Sequence, residues 1–468
     1  MISAPAPTSL GTTQSLCPVC LARITAERLA EGDDVYLEKR CPDHGRFKTV
    51  IWRGPPSFQS WAVPGRASPP VGAGDACPFE CGLCAHHRQQ TCCVLLEVTQ
   101  RCNLQCPVCF AAAGDGLPDP DLRHVEAWYR KLLDAGGPFN IQLSGGEPTV
   151  RDDLPEIIAL GRSLGFQFFQ LNTNGVRLAR DPAYVRRLKD AGLGCVFLQF
   201  DGTSDGIHRR LRGAALGETK AAAIDRCAEQ RLGVMLVPTV VRGVNTGELG
   251  AIVAYALERT PVVRGVHFQP VSFFGRYPSP PSDLDRVTIP EVLRLLEQQT
   301  GGAIRASHFR PPSAENAYCS FNGSFIRSRD GSLKPAGGAR PQGCCPAPTA
   351  PDDGAGAARS CCERRRPGED SRRARELVAT RWVYPATSPG APGEHRSSGT
   401  ASLDAFLEEA SAASFSISGM AFQDAWNIDL ERLRDCFLHV VGPNTGIVPF
   451  CAYNLTDVSG TSLYRRHA

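Results

Sequence analysis

The sequence predicts an α/β fold: a partial, TIM-like (β/α)6 barrel with a cysteine-rich metal-binding head before it and a C-terminal α+β region after it. Three observations predict this. From residue 93 to about 290, short apolar β-rich runs alternate with helical patterns, as in βα units around a parallel sheet. The 20 cysteines gather mostly in short-spaced groups before, at the start of and after those runs. Beyond about residue 300 the pattern changes to hairpins and a low-complexity stretch.

The six runs are CVLLEV (93–98), FNIQLS (139–144), FQFFQLN (166–172), GCVFLQF (194–200), GVMLVPTVV (233–241) and GVHFQPVS (265–272). Between them, DLPEIIALGRSLG and PAYVRRLKDAGLG read as amphipathic helices that stop at glycine. Six strands leave the barrel open, two short of the closed form. Downstream, CSFNGSFIRSRDGSLKP from Cys319 and CFLHVVGPNTGIVPFC from Cys436 to Cys451 each read as cysteine, strand, turn, strand.

The chain therefore divides into a metal-binding head (1–62), a cysteine-rich segment (63–92), the barrel (93–290), and a C-terminal region (291–335 and 401–468) interrupted by a flexible linker (336–400). Pro, Gly, Ala, Arg and Ser crowd the linker, although RRARELVATRW within it fits a helix. Its cysteines 344, 345, 361 and 362 read as loop thiols, and Cys195 and Cys227 as core packing.

Charge says little about partners: 51 basic against 48 acidic residues give a net +3, without a basic patch that would bind nucleic acid. No apolar run approaches a membrane span and the first residues lack a signal-peptide pattern, so a cytoplasmic location is expected. Clustered cysteines in a reducing compartment point to metals rather than disulfides.

Two trios share the spacing Cys-x3-Cys-x2-Cys: Cys77, Cys81, Cys84 and Cys102, Cys106, Cys109. Only the second follows a barrel strand, which puts it at the C-terminal mouth where such barrels place their chemistry. Three thiolates on a short loop can hold three irons of a 4Fe-4S cluster and leave the fourth iron open to a small chelator. The amino and carboxylate groups of S-adenosylmethionine suit that iron, and a one-electron donor beside the sulfonium can release a 5'-deoxyadenosyl radical.

With TQRCNLQCPVCFA and LSGGEPT both present, the chain resembles the radical SAM superfamily. The resemblance implies that Gly145 and Gly146 let the backbone approach the methionine moiety and that Glu147 accepts hydrogen bonds from its ammonium group. It gives Val108 an apolar contact with adenine. Asn174, in Thr173-Asn174-Gly175, and Gln199 and Asp201, on either side of Phe200, are expected at the carboxylate and ribose, against a bland reading of both stretches as turn chemistry.

Three further metal sites are candidates. Cys17, Cys20, Cys41 and His44 form a CxxC and a CxxH knuckle suited to mononuclear zinc or iron. Cys77, Cys81 and Cys84, with Cys92 or Cys93 as a fourth sulfur, suit a closed auxiliary 4Fe-4S cluster or a second zinc. Cys319, Cys436 and Cys451 suit another auxiliary cluster or a buried apolar set.

The order CPxC, CxxHG, CxxxCGLC, EVTxRCNLxCPxCFA, LSGGEPT, FQPVSxFGR, MAFQDAWNxDLER and FCAYN is similar to the tetraether lipid synthases and their bacterial relatives, some described as dihydropterin methyltransferases. That resemblance implies hydrogen abstraction from an unactivated carbon, with coupling of two lipid alkyl chains by a C-C bond as the first reading. Methylation of a dihydropterin, peptide maturation and a non-catalytic iron-sulfur or zinc protein are the alternatives. No cobalamin-binding or peptide-docking module is visible in the sequence. A reductant protein such as ferredoxin or flavodoxin, a lipid or small-molecule substrate and transient membrane-surface contact are the expected partners. One departure from the family stands out: Ser313 and Ala314 lie where a further cysteine is expected, leaving the C-terminal set with three sulfurs.

Overall fold

The computed structural model describes residues 6–62, 77–79, 83–84, 87–114, 118–336, 369–385, 410–442 and 446–465. Cys81 and the four linker cysteines lie outside the described residues.

The head is a four-stranded antiparallel meander: β1 (Thr8–Leu16), β2 (Arg23–Glu31), β3 (Asp34–Cys41) and β4 (Gly45–Arg53). Alternation along β3 buries Val35, Leu37, Lys39 and Cys41 on one face. That face leans on the C-terminal region: Lys39 Nζ donates to Ala425 O at 2.7 Å and Thr13 Oγ1 to Asp429 Oδ1 at 2.7 Å. Arg28 pairs with the same Asp429 at 2.7 Å.

All six barrel strands form where the apolar runs predict them: β5 (Cys93–Thr99), β6 (Asn140–Gly145), β7 (Phe169–Thr173), β8 (Cys195–Gln199), β9 (Gly233–Val237) and β11 (Val263–Pro270). They pair in parallel, in that order. Pro238 has no N–H to donate and interrupts the fifth run, so its end becomes a separate short strand, β10 (Thr239–Val240), paired with β11. Helices between strands use the expected signals. In Pro182–Ala191, Asp181 accepts from Tyr184 N at 2.9 Å, and Gly192 ends the helix at φ +107°.

Both C-terminal hairpins form, as β12 (Ser320–Arg327) with β13 (Leu333–Pro335), and β15 (Leu438–Val441) with β16 (Ile447–Pro449). Their placement was not visible in the sequence. β14 (Ser414–Met420) lies parallel to β11 and carries β12, while β15 lies parallel to β5. Eight parallel strands therefore run from β15 through the six to β14.

Part of the expected linker is built into the barrel. Helix Glu369–Arg381 and the residues after it cross the N-terminal ends of the strands, where Val378, Ala379, Trp382 and Val383 pack on Phe168, Cys195, Phe197, Met235 and Val237. Asn140 Nδ2 donates to Arg375 O at 3.1 Å, and a Cβ on Gly233 would lie 2.3 Å from Trp382 O. The low-complexity reading is corrected for 369–385: apolar residues inside a polar tract cover an otherwise open barrel floor. Among the described residues, no helix is long and apolar enough to cross a membrane.

Candidate active site: a cysteine loop held at the barrel mouth

The loop after β5 carries Cys102, Cys106 and Cys109, and all three line one continuous cavity of about 270 Å³. Burial raises the Cys102 thiol to about 11 and also raises Cys106, where the Arg212 guanidinium opposes it. Such thiols stay protonated at neutral pH until a metal displaces the proton.

Four contacts hold the loop. Gly146 N donates to Thr99 O and Glu147 N to Arg101 O, both at 2.9 Å. A Cβ on Gly145 would lie 2.1 Å from Thr99 O, and one on Gly146 2.2 Å from Arg101 O. The two glycines are therefore required first by the close approach of the cysteine loop itself. On the other side, Cys109 and Arg276 exchange both backbone hydrogen bonds at 2.9 Å, and Gly275, at φ +69°, leaves no room for a side chain against Cys109 O and Phe110 O.

Three arginines far apart in sequence cap the loop's carbonyls: Arg276 Nε on Cys106 O at 2.9 Å, Arg212 Nη1 on Val108 O at 3.3 Å, and Arg465 Nη1 on Phe110 O at 2.7 Å. Sequence reasoning missed all three. Arg276 could have been found in the FFGR motif, but nothing local marks Arg212 or Arg465.

Glu147 is buried and its carboxylate ties β6 to β7. Oε1 accepts from Thr149 N, Thr149 Oγ1 and Thr173 Oγ1 at 3.1, 2.6 and 2.7 Å, and Oε2 accepts from Asn174 N at 2.7 Å. Oε2, with a single donor, keeps acceptor capacity toward the cavity that Glu147 lines. Asn174 Nδ2 reaches the cysteine loop at Asn103 Oδ1, 2.7 Å away. Val108, Asn174 and Gln199 all line the cavity.

Asp201, expected at the carboxylate or ribose, does not line the cavity. Fully buried behind the wall, it holds Arg212 through two contacts of 2.7 and 2.8 Å and accepts from Thr239 N at 3.0 Å. Its carboxylate fixes the guanidinium that faces the cavity, so Asp201 acts through Arg212.

In the head, Cys17, Cys20, Cys41 and His44 present donor atoms all within 4.8 Å of one another. His44 Nδ1 lies 3.7 Å from Cys17 Sγ and 3.4 Å from Cys41 Sγ, separations that suit one tetrahedral ion. Burial raises Cys17 to about 11; at Cys41 burial is outweighed by hydrogen bonds from His44 and the Asp43 backbone, leaving it near 7. Cys20→Ala is expected to remove the bound metal and destabilise the ribbon, read as loss of one metal equivalent by elemental analysis and earlier proteolysis of residues 6–53.

A family model described as the radical SAM superfamily matches residues 96–256, and one described as the HMPTM N-terminal zinc ribbon domain matches residues 9–53. The 7,8-dihydro-6-hydroxymethylpterin dimethyltransferase of Methanocaldococcus jannaschii is 34% identical, over 94% of this chain and 93% of that protein. The chain belongs to the radical SAM superfamily, in the family of that relative. Among solved structures, Streptococcus suis SuiB bound to S-adenosylmethionine is 15% identical over 46% of this chain and 48% of its own, with a TM-score of 0.37. The maturase HydG of Carboxydothermus hydrogenoformans is 15% identical over 46% of this chain and 53% of its own, with a TM-score of 0.36.

The superfamily implies a 4Fe-4S cluster and S-adenosylmethionine, and the donor set fits them. Three thiols free of disulfides line one cavity, and Arg276, Arg212 and Arg465 fix the backbone that carries them, the last two paired with the Asp201 and Glu97 carboxylates. When bound, the cluster and cofactor supply one-electron reduction and an organic radical. In this radical SAM protein Cys102, Cys106 and Cys109 would be the ligands, Glu147 would offer an acceptor to an ammonium, and Arg212 would offer a donor to an anionic group.

The auxiliary candidates separate. Cys77 and Cys84 border a small cavity with His87, Leu433, Arg434 and Pro449. Cys92 is not there: it lines the barrel cavity, and its charged neighbours are Cys93, Glu315 and Arg375. Cys93 likewise faces inward, its Sγ 3.8 Å from Gln142 Oε1. His87 stands beside Cys77 and Cys84 in that small cavity, while Cys81 lies outside the described residues. Cys319 lies near the two cysteines that flank the β15–β16 hairpin, since Cys319 and Cys451 raise the Cys436 thiol and Cys319 raises that of Cys451. Arg432 Nη2 lies 3.6 Å from Cys319 Sγ, a buried cation suited to an anionic cluster.

Proposed function

We propose that this radical SAM enzyme methylates a dihydropterin-class substrate. The observation that carries this reading is a set of amide side chains in the otherwise apolar cavity below the cysteine loop. Besides Asn174 near the cysteine loop, Asn140, Gln142, Gln170, Asn172, Gln199 and Gln269 line the cavity. Phe197, Val237, Phe274, Phe422 and Phe450 line the same cavity. A planar nitrogen heterocycle meets both demands, with hydrogen-bonding edges for the amides and apolar faces for the rings.

The 34% identical relative, named for dimethylation of a dihydropterin, supports the same reading. Coupling of lipid alkyl chains fits less well, because a hydrocarbon beside this wall would leave the Gln170 carbonyl oxygen buried without a partner. Trp382 at the floor also obstructs the long channel that an alkyl chain needs. The electron is expected from a partner such as ferredoxin or flavodoxin.

The test uses anaerobically reconstituted protein with dithionite and S-adenosylmethionine, supplied either with 7,8-dihydro-6-hydroxymethylpterin or with extracted lipid. Mass spectrometry should find methylated pterin, with 5'-deoxyadenosine formation stimulated by the pterin. Stimulation by lipid alone, with cross-linked chains as product, would overturn the proposal.

A further inference from the structure

Within the amide wall, Asn140, Gln142, Asn172 and Gln199 already have hydrogen-bond partners. Gln142 Nε2 donates to Asn172 Oδ1, and Asn172 Nδ2 to Ser144 Oγ at 3.4 Å. Gln170 differs. It lines the cavity, is 3% exposed, and its carbonyl oxygen has no hydrogen-bond partner. An unpaired buried acceptor costs stability, and a ligand N–H is one way to recover it.

Its depth is defined by the strand. Gln170 precedes Thr173, the Glu147 partner, by three residues on β7, which puts it about 10 Å further from the mouth. Phe197 and Trp382 stand in the same lower part of the cavity, their ring centroids 5.0 Å apart. His267 joins them, with Nδ1 2.9 Å from Ser418 Oγ, and burial lowers its pKa to about 4, so the ring is neutral.

We infer that Gln170 is a specificity-determining residue whose carbonyl accepts from the amino-bearing pyrimidine edge of the substrate, with the ring lying among Phe197, Trp382 and His267. This rests on the proposed dihydropterin reading and adds an orientation to it. A pterin carries its 2-amino donor on that edge, and Gln170 offers the matching acceptor at the floor; replacing the amino group with oxo sets two acceptors against each other. The opposite ring, bearing the 6-hydroxymethyl group, then faces the cysteine loop. The helix Glu369–Arg381 and Trp382 become part of the substrate site, so a tract that reads as linker helps set selectivity.

The experiment measures equilibrium binding of 6-hydroxymethyl-7,8-dihydropterin and of the corresponding lumazine, in which oxo replaces the 2-amino group, to the reconstituted full chain. The unaltered protein should prefer the pterin by roughly 10- to 100-fold, the usual range for losing a hydrogen bond to a buried partner. Gln170→Leu should erase the preference. Gln170→Glu, which keeps an acceptor, should retain it. Pterin binding with no preference in the unaltered protein, or an intact preference in Gln170→Leu, would overturn the inference while the proposed function stands. If Gln170→Leu does not fold, the comparison of the two ligands on the unaltered protein decides alone. Binding of neither ligand would defeat the proposed function and this inference with it.

Discussion

Replacing Cys106 with alanine is expected to abolish reductive cleavage of S-adenosylmethionine. Cys106 is the most buried of the three loop thiols, and its carbonyl is held by Arg276 at 2.9 Å. Alanine keeps that backbone contact and removes one of three iron ligands, so the loop should fold while the cluster fails to assemble. Iron and sulfide counts should fall by about one cluster's worth and 5'-deoxyadenosine should drop to background. Undiminished cleavage in Cys106→Ala would refute the assignment of the loop. The same variant separates this site from the others, because a metal held by Cys17, Cys20, Cys41 and His44 should persist.

Asp201→Ala is expected to have the largest effect on stability. The Asp201 carboxylate is fully buried, and the Arg212 side chain is 7% exposed. Removing the anion strands a guanidinium in the interior, which costs about 3–5 kcal/mol in comparable buried pairs. Thermal or urea denaturation should show that loss. A double variant, Asp201→Ala with Arg212→Met, should recover much of the stability, since neither charge is then unpaired. It should not recover cleavage of S-adenosylmethionine, because Arg212 also holds Val108 O and faces the cavity. Full activity in the double variant would show that Arg212 serves packing alone.

Local patterns were readable where their chemistry is local. β5, β6 and β8 form within a residue or two of their apolar runs because strand formation there depends on a few consecutive β-rich residues. The CxxC and CxxH knuckles of the head were readable for the same reason: each pair of ligands sits on one short turn. Glu147 was found through its motif, although the motif alone assigned the neighbouring glycines to the methionine moiety. In the structure their first constraint is the backbone of Thr99 and Arg101.

What the sequence determined by itself is the barrel class, the identity of the cysteine loop and the composition of the head's metal site, because each follows from spacing over a few residues. The tertiary structure decided the rest. Arg276 meets Cys106 across 170 positions and Arg465 meets Phe110 across 355, and no periodicity encodes such contacts. The docking of β14 on β11 and β15 on β5, the role of Asp201 behind Arg212, and the cover that 369–385 lays over the barrel floor belong to the same class. Each depends on which buried surfaces and charges find partners once distant segments pack, and those partners exist only in the folded chain.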